Sequence, residues 1–376
     1  MRVLMISKAC VVGMYQRKLE ELAKLPELRL LVVVPSFWRN GRQILPLERA
    51  HTAGYELRVL PMVFNGSFHL HFYRQLGQVM QQFQPEIVHI DEEPYNLATL
   101  QAMRLAEKNR ARAVFFTWQN LSKRYPFPFS QIERYNLAHA RLAIAGNREA
   151  EQVLRAKGYT GPVRVIPQFG VDPELYQPRT EQDGPGNALM VGYMGRLVEE
   201  KGLQVLLRAL VGLEGNWRLQ VVGSGPYGAA LRELAVELGI QARVNWLGYV
   251  PSTEAPGILR SLDVLVLPSL TRANWKEQFG RVLIEAMACE VPVIGSSSGE
   301  IPNLIGDAGI VFPEGDAVAL RDSLRWLVSD PGLRSVLGQR GRQRVLERFT
   351  QAQVAADTYG AYKEMISPGA REDCTS

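Results

Sequence analysis

The chain has 376 residues, of which 46% are hydrophobic and 22% are charged. This composition is typical of a globular protein and excludes disordered and collagen-like chains. The length suggests two domains, and no apolar run reaches the roughly 18 residues of a membrane-spanning helix. The three cysteines, Cys10, Cys289 and Cys374, have neither metal-ligand nor disulfide spacing, and the N-terminus lacks the pattern of a signal peptide. These features favour a reducing cytoplasm.

The charge is distributed unevenly along the chain. Residues 1–170 contain 23 Lys and Arg against 13 Asp and Glu, a net charge of +10, whereas residues 171–376 carry −5. A basic first half suits an anionic membrane surface or an acidic acceptor. A solvated basic surface would give the same pattern. Nucleic acid ranks last as a partner, because no nucleic-acid-binding module accompanies the charge.

Short apolar runs alternate with longer amphipathic stretches in the first half of the chain. The helix-length gaps between these runs are typical of crossovers, and the first gap carries apolar residues at helical spacing over 15–25. A polar segment at 177–187, with two prolines and two glycines, predicts a linker. The runs that predict parallel strands are 3–6, 30–34, 87–90, 113–116 and 142–145.

The same alternation restarts after the linker. It predicts two doubly wound α/β domains, whose ligands lie beyond the carboxyl ends of the strands and therefore in the cleft between the domains. The predicted boundaries are 1–176 for the first domain, 188–350 for the second, and 351–376 for a C-terminal helix that crosses back to the first domain, with a tail. Predicted strands are 188–193, 219–222, 244–247, 264–267 and 291–294, and predicted helices are 203–213, 227–238, 253–262, 282–289, 318–328 and 333–349.

A glycine-rich segment, GSGPYG at 223–228, matches the dinucleotide-binding pattern G-x-G-x-x-G. Its context is poor, because it is not the first turn of its domain and no acidic residue ends the next strand. A tight strand-to-helix turn, or backbone beside a phosphate in another nucleotide site, explains it better than nicotinamide binding. P-loop chemistry has no support, since no G-x-x-x-x-G-K-[ST] segment occurs.

Two further segments carry charges suited to a nucleotide. In GRLVEEKG at 195–202, Arg196 and Lys201 follow a predicted strand and fit a diphosphate, unless they pair with the neighbouring Glu199 and Glu200. In EQFGRVLIEAMAC at 277–289, an apolar helix is predicted to begin near Gly280, and its first N–H groups form an anion site.

One glutamate precedes that helix and another lies within it. Glu277 precedes it and either caps the helix or reaches a ligand. Glu285 lies among apolar residues one to two turns inside, so it needs a partner if it is buried, and ribose hydroxyls would serve.

These segments, together with IPQFGVD at 166–172, WLGYVP at 246–251 and DVLVLPS at 263–269, resemble the retaining GT-B glycosyltransferases of family 4, the glycosyl transferases group 1. The resemblance covers the second half almost end to end and the first half more loosely. It implies two Rossmann-like domains that face a central cleft. It also implies retaining transfer from a nucleotide sugar (a UDP- or GDP-sugar), with no essential metal and no cofactor.

The acceptor implied by the resemblance is a glycan, a lipid-linked sugar or a small molecule, within polysaccharide or glycoconjugate biosynthesis. A catalytically silent sugar-nucleotide-binding protein on the same fold is the alternative, and the intact charged cluster argues against it. By resemblance, Arg196 and Lys201 hold the diphosphate and Glu277 meets the donor sugar, and these three form the catalytic set. The resemblance assigns donor binding to Gly195, Gly223, Phe279, Gly280, Arg281, Val282 and, at the ribose, Glu285.

The acceptor side departs from the family pattern. The first loop, 8–13, has one glycine where family members often have a pair, and Thr117-Trp118-Gln119-Asn120 stands where many carry a histidine. The acidic run 91–95 could supply a carboxylate base or be the acidic N-terminus of a helix. The acceptor-side candidates are therefore Gly13, Glu92, Gln119 and Asn120.

Two other first-half features have alternative interpretations. His69 and His71 lack a third ligand, which argues against a metal site. The aromatic loop 125–129, beside Lys123, Arg124 and Arg134, could contact lipid or an apolar acceptor tail, or simply be a packed crossover. If the loop contacts lipid, the charge asymmetry predicts a cytoplasmic protein that binds peripherally at the inner face of the membrane; otherwise the charge serves a soluble acceptor.

Overall fold

The computed structural model describes residues 1–41, 43–179 and 188–367. It divides the chain into two units, the first comprising Met1–Gly170 and the segment from Gln351 onward, and the second comprising Val171–Thr350. Most of the predicted linker and the tail that contains Cys374 lie outside the described residues. No helix among the residues described is long and apolar enough to cross a membrane.

The first unit is built on a seven-stranded parallel sheet, as far as the described residues go. Its central strands are almost continuous runs of buried, mostly apolar residues, as expected where helices cover both faces of a parallel sheet. The strands of this unit are β1 (Arg2–Ile6), β2 (Arg29–Val34), β3 (Phe37–Asn40), β4 (Gln43–Pro46), β5 (Glu56–Val59), β6 (Met62–Val63), β7 (Phe72–Tyr73), β8 (Ile87–Ile90), β9 (Arg112–Thr117), β10 (Leu142–Ala145) and β11 (Val163–Val165).

The large sheet has the order β11-β10-β9-β8-β1-β2-β5, so the chain first builds outward from β1 and then restarts at β8 on its other side. The loops after β1 and β8 therefore diverge at a topological switch point, where doubly wound sheets bind ligands. The strands β3 with β4 and β6 with β7 form two small antiparallel pairs. The helices of this unit are α1 (Arg17–Ala23), α2 (Leu76–Phe83), α3 (Leu97–Lys108), α4 (Phe129–His139), α5 (Arg148–Ala156) and, last in the chain, α13 (Gln351–Ile366).

The final helix α13 is part of the first unit's core. Its Val354 and Tyr362 are buried in one apolar cluster with Leu19 and Leu22 of α1. The Tyr362 hydroxyl also lies 2.6 Å from Nδ1 of the buried His89. The C-terminal segment therefore contributes to the stability of a domain that begins at the N-terminus.

The second unit is built on a six-stranded parallel sheet in the order β14-β13-β12-β15-β16-β17, with its switch point between β12 and β15. Its strands are β12 (Leu189–Met194), β13 (Trp217–Val222), β14 (Val244–Gly248), β15 (Val264–Leu267), β16 (Val293–Ser296) and β17 (Ile310–Phe312). Its helices are α6 (Leu203–Val211), α7 (Gly228–Glu237), α8 (Ala255–Arg260), α9 (Arg281–Ala288), α10 (Ile301–Ile305), α11 (Ala317–Ser329) and α12 (Pro331–Arg348).

The predicted fold class, two doubly wound α/β domains, is confirmed. The first domain ends at Gly170 rather than at residue 176, because the chain joins the second unit earlier than expected. The Val171 N–H donates to the Phe349 carbonyl at 2.7 Å, and the Tyr176 carbonyl accepts from Arg342 at 3.2 Å. The helix predicted over 15–25 is shorter, since residues 13–16 form a 3₁₀ turn before α1.

Candidate functional site

The loops that follow β12 and β15 meet at the switch point of the second unit. Gly202 ends the first loop with a φ of +72°, and a Cβ there would lie 1.8 Å from the Pro268 carbonyl oxygen. The Leu270 N–H donates to the Glu200 carbonyl at 2.8 Å, which fixes the second loop to the first. Only glycine permits this approach, and it brings the two predicted charged segments together.

Lys201 and Glu277 form an ion pair across this junction. Lys201 Nζ lies 2.5 Å from Glu277 Oε2, and the Ser269 hydroxyl donates to the same oxygen at 2.8 Å. The ammonium also lies over the Trp275 ring, 5.1 Å from its centroid. Glu277 is 6% exposed, so its charge is held mainly by these partners rather than by water.

The alternative pairing of Arg196 and Lys201 with the adjacent glutamates is not what the structure shows. Glu199 pairs instead with Arg272, at 2.7 Å. Arg196 is exposed and forms no ion pair with any residue that the structure describes. Its guanidinium is therefore available to an anionic ligand, whereas Lys201 already has a carboxylate partner.

The glycine-rich segment after β13 is a tight turn that supports the Arg196 loop. A Cβ at Gly223 would lie 1.9 Å from the Gly195 carbonyl oxygen, and one at Gly225 would lie 2.2 Å from the Leu197 carbonyl oxygen. The Leu197 N–H donates to the Ser224 carbonyl at 3.0 Å. The glycines therefore serve the packing of two loops, as expected for a strand-to-helix turn.

Helix α9 begins at this edge of the sheet with Gly280 as its N-cap, at a φ of +80°. Phe279, just before the cap, is buried and packs edge-on against Phe349 at 6.2 Å. Arg281 and Val282 form the first turn of α9, which begins beside Gly280 as predicted, and their N–H groups are among those left without an intrahelical acceptor.

Glu285, one turn further along α9, is 5% exposed. Burial raises the pKa of its carboxyl, while Arg281 and the Tyr176 hydroxyl oppose that shift. Arg281 Nε lies 2.9 Å from Glu285 Oε1. A buried carboxylate with one guanidinium and one hydroxyl still has acceptor capacity for further hydroxyl donors.

A cavity of about 410 Å³ joins several of these residues within the second unit. Sequence reasoning missed two of its aromatic residues, Tyr176 and Tyr249, although WLGYVP was singled out as a motif. Tyr249 is 78% exposed and offers a free ring face at the cavity wall. Of the predicted donor-binding and catalytic residues, the cavity is lined by Gly195, Arg196, Gly223, Arg281 and Glu285.

The first unit carries a second lysine–glutamate pair at its own switch point. Glu92 is buried and accepts from Lys8 Nζ, and His71 Nε2 lies 3.5 Å from it. Although burial favours the protonated form, Lys8 and His71 hold the pKa of Glu92 down to about 2. Glu92 is therefore held as an ionised carboxylate, which makes it a weak base, and its acceptor-side role stays a prediction.

Glu93 is the carboxyl of the acidic run 91–95 whose pKa is raised, so that its neutral form is favoured. Burial raises its pKa to about 7, against the opposing hydrogen bonds from Thr117 and Trp118. The Thr117 hydroxyl donates at 2.6 Å and the Trp118 N–H at 2.8 Å. The acidic run is not the N-terminus of α3 either, because that helix begins at Leu97 with no acidic residue in its first turn.

The remaining acceptor-side candidates are engaged within the first unit. The Gly13 N–H donates to Glu48 Oε2 at 2.6 Å. Gln119 accepts from Lys157 Nζ at 2.8 Å, and Asn120 donates to Glu149 Oε2 at 3.4 Å. The two predicted hydrogen-bonding amides are therefore largely buried and already partnered.

The histidines at 69 and 71 lie in different surroundings. His71 is buried beside Glu92 and Trp38, with ring centroids of His71 and Trp38 5.3 Å apart. His69 packs among Tyr95, Tyr125 and Phe129. In the described parts of the chain, no group of three His, Cys, Asp or Glu residues has the geometry to hold a metal ion.

Residues 179–344 match the family model described as Glycosyl transferases group 1. Among curated relatives, a GDP-mannose-dependent alpha-(1-6)-phosphatidylinositol monomannoside mannosyltransferase of Mycolicibacterium smegmatis is 32% identical over 48% of this chain and 50% of its own length. A D-inositol 3-phosphate glycosyltransferase of Corynebacterium jeikeium is 31% identical over 61% of this chain and 58% of its own length. The chain thus spans about half the length of the curated relatives it matches. The family model matches only residues of the second unit, and it covers less than half of the chain.

Solved structures resemble almost the whole chain. Sucrose-phosphate synthase from Thermosynechococcus elongatus has a TM-score of 0.73 and 20% identity, covering 97% of this chain and 98% of that structure. Anabaena HepE in complex with UDP has a TM-score of 0.75 and 18% identity, covering 97% and 100%. These similarities show that the fold is that of the GT-B glycosyltransferases.

Proposed function

We propose that this chain is a retaining glycosyltransferase of family 4 that moves a sugar from a nucleotide sugar to a carbohydrate, lipid-linked or small-molecule acceptor. The observation that carries the proposal is the assembly of charges at the switch point of the second unit. Arg196, the Lys201–Glu277 pair and the first turn of α9 all stand at the carboxyl edge of one sheet. Two cations and a helix N-terminus at one edge suit the diphosphate of a leaving nucleotide.

In this proposal the charges stabilise the leaving group. Cleavage of the bond between the anomeric carbon and the diphosphate oxygen leaves negative charge on that oxygen, which Arg196, Lys201 and the dipole of α9 stabilise. Glu277, which is paired with the Lys201 ammonium, accepts hydrogen bonds from sugar hydroxyls. Glu285, inside the 410 Å³ cavity with Arg281, accepts from ribose hydroxyls.

The exposed ring of Tyr249 and the neighbouring Val250 give the same cavity an apolar wall for the nucleobase. The donor is a UDP- or GDP-sugar. The Mycolicibacterium relative is named as GDP-mannose-dependent, and the Anabaena HepE structure contains UDP. Relatives whose names include phosphatidylinositol monomannoside, D-inositol 3-phosphate and colanic acid biosynthesis support a role in polysaccharide or glycoconjugate biosynthesis.

The proposal is tested by a panel of nucleoside diphosphates and nucleotide sugars. A ligand at one hundred times its dissociation constant stabilises the protein by about 2.7 kcal/mol, so thermal shift identifies the base and the sugar. Hydrolysis or transfer of the best donor is then followed by NMR, with retention of the anomeric configuration expected. If the wild-type protein binds a nucleotide sugar but turns it over no faster than the Arg196→Ala variant does, it is a silent binder. That result would refute the proposed enzymatic activity.

We further propose that transfer needs no divalent metal, because Arg196, Lys201 and the α9 N-terminus supply the positive charge. Activity should persist in excess chelator. Loss of activity that magnesium or manganese restores would overturn this part. We place the reaction in the cytoplasm, in keeping with the free thiols of the buried Cys10 and Cys289.

A further inference from the structure

A larger cavity, of about 900 Å³, lies in the first unit between α4 and the turn that follows α5. It is separate from every residue assigned to the donor. Its wall is strongly basic, with Lys123, Arg124, Arg134, Arg141 and Lys157.

Acidic side chains do not neutralise this wall. Glu133 lines the cavity, but its carboxylate lies 2.5 Å from Lys157 Nζ and is matched by that one cation. Lys123, Arg124 and Arg134 are exposed, and none of them forms an ion pair with a residue that the structure describes. The cavity therefore carries an excess of positive charge that a polyanionic partner would satisfy.

An aromatic side chain projects from the same loop. Phe127 is 80% exposed, which is a large apolar exposure for one ring. Its neighbours are fixed, because Tyr125 stacks on Tyr95 at 4.2 Å and Phe129 packs against His69 at 4.9 Å. The aromatic loop is thus largely a packed crossover, and Phe127 is its exposed apolar side chain.

Helix α4 extends the basic surface. Arg134 lines both the 900 Å³ cavity and a second one of about 490 Å³ on the other side of the helix. The first unit as a whole holds 25 Lys and Arg against 17 Asp and Glu, whereas the second holds 18 against 21. The basic cavity therefore lies in the more basic of the two units.

We propose that Lys123, Arg124, Phe127 and Arg134, here named the α4 surface, dock the protein on an anionic lipid bilayer. The cations bind headgroup phosphates, and Phe127 enters the boundary between headgroups and acyl chains. An exposed ring would gain nothing from a soluble phosphate compound, whereas a bilayer satisfies both the charge and the ring. This inference stands independently of the donor chemistry.

The test uses the full chain and sedimentation with vesicles of phosphatidylcholine alone or with phosphatidylglycerol. Wild type should bind the mixed vesicles at low salt, release them as salt screens the charges, and ignore neutral vesicles. Each basic residue near the surface contributes about fivefold, so the triple variant Lys123→Gln, Arg124→Gln, Arg134→Gln should bind roughly 100-fold more weakly. Phe127→Ser should weaken binding by about tenfold or more.

A matched control removes the same charge from the same unit. The triple variant Arg49→Gln, Arg74→Gln, Lys108→Gln changes three exposed cations outside both cavities. It should keep most of the affinity. Equal loss in the two triple variants would show that net charge alone acts, and would overturn the α4 surface.

Two other results would also overturn the proposal. One is failure of the wild type to bind mixed vesicles at low salt. The other is binding of soluble pyrophosphate with an affinity that the α4 triple variant loses while Phe127→Ser behaves as wild type on vesicles. The single exposed change at Phe127 keeps the test valid if the triple variant folds poorly, and thermal denaturation checks folding in each case.

Discussion

Lys201 Nζ lies 2.5 Å from Glu277 Oε2, across the junction of the loops that follow β12 and β15. The cation expected to hold the donor diphosphate is therefore paired in the free protein with the carboxylate expected to hold the donor sugar. Arg196, five residues earlier, is exposed and has no such partner among the described residues. The two predicted phosphate ligands consequently differ in what their removal should cost.

Arg196→Ala should impair the reaction and leave the fold intact. Loss of one electrostatic partner of a developing charge typically costs about 10²–10³ in rate, whereas a surface substitution changes stability by about 0.5 kcal/mol or less. Lys201→Ala should impair both, because it leaves the buried Glu277 carboxylate without its cation, at a cost of about 2 kcal/mol. Transfer rates and urea unfolding of the two variants give the comparison.

The double variant Lys201→Ala, Glu277→Gln separates the pair from its surroundings. It should regain part of the stability that Lys201→Ala loses, since the orphaned charge is gone. Equal unfolding midpoints for Arg196→Ala and Lys201→Ala would contradict the prediction that only Lys201→Ala destabilises the fold.

The two glutamates should fail in different ways. Glu277 lies with Lys201 and Ser269, whereas Glu285 lines the cavity with Arg281, so Glu277→Gln should slow sugar transfer more than it weakens nucleoside diphosphate binding. Glu285→Gln should weaken nucleoside diphosphate binding itself, by about tenfold for one lost charged hydrogen bond. Calorimetry measures affinity, and Glu233→Gln, an exposed change on α7, is the control. The reverse order of effects would refute the division of roles.

The fold was predictable because buried parallel strands appear in the sequence as short runs of apolar residues. Each predicted strand, and each predicted helix of the second half, lies within two residues of an observed element at both ends. The stretch 37–73 was not predicted, because its strands β3 to β7 are two to four residues long and almost all of their residues are exposed or half-buried. Whether such short segments form strands depends on their contacts with the rest of the fold, because their own sequences show little periodicity.

The position of the candidate donor residues at one edge of the second sheet was predictable for a related reason. Its residues stand in short loops directly after strands, where sequence position fixes spatial position. The ionisation of Glu92 and Glu93 was not, because it depends on Lys8, His71 and Thr117, which come from other loops. Adjacent carboxyls with opposite pKa shifts look alike in a sequence.

Gly202 should be intolerant of any side chain. Its φ of +72° disfavours L residues, and a Cβ would lie 1.8 Å from the Pro268 carbonyl oxygen, so Gly202→Ala should cost at least about 2 kcal/mol and separate the two loops. Gly257, inside α8 with open space around its Cβ position, is the matched control. Gly257→Ala should be neutral or stabilise by up to about 1 kcal/mol. Urea unfolding compares them, and a Gly202→Ala protein as stable as Gly257→Ala would show that the loop contact is dispensable.

Glu93 should make stability fall as pH rises from about 5 to 8. Its pKa is raised by burial from the ordinary 4.5 to about 7, so between these values the folded state holds a proton that the unfolded state has released. The stabilising contribution is therefore complete below pH 4.5 and is lost as pH rises through 7, a change of about 3 kcal/mol. Glu93→Gln should flatten this slope in unfolding measured at pH 5 and 8.

Glu92→Gln provides the contrast within the same acidic run. The pKa of Glu92 is lowered to about 2, so its stabilising contribution is present above pH 4.5 and is lost only as pH falls toward 2. Removal of its charge should therefore lower stability equally at pH 5 and 8, because Lys8 loses its buried partner at both values. Glu93→Gln should thus change how the free energy of unfolding varies with pH, whereas Glu92→Gln should lower the free energy of unfolding by the same amount at both pH values. A Glu93→Gln protein that keeps the wild-type difference between pH 5 and 8 would show that Glu93 is ionised in the folded state throughout this range.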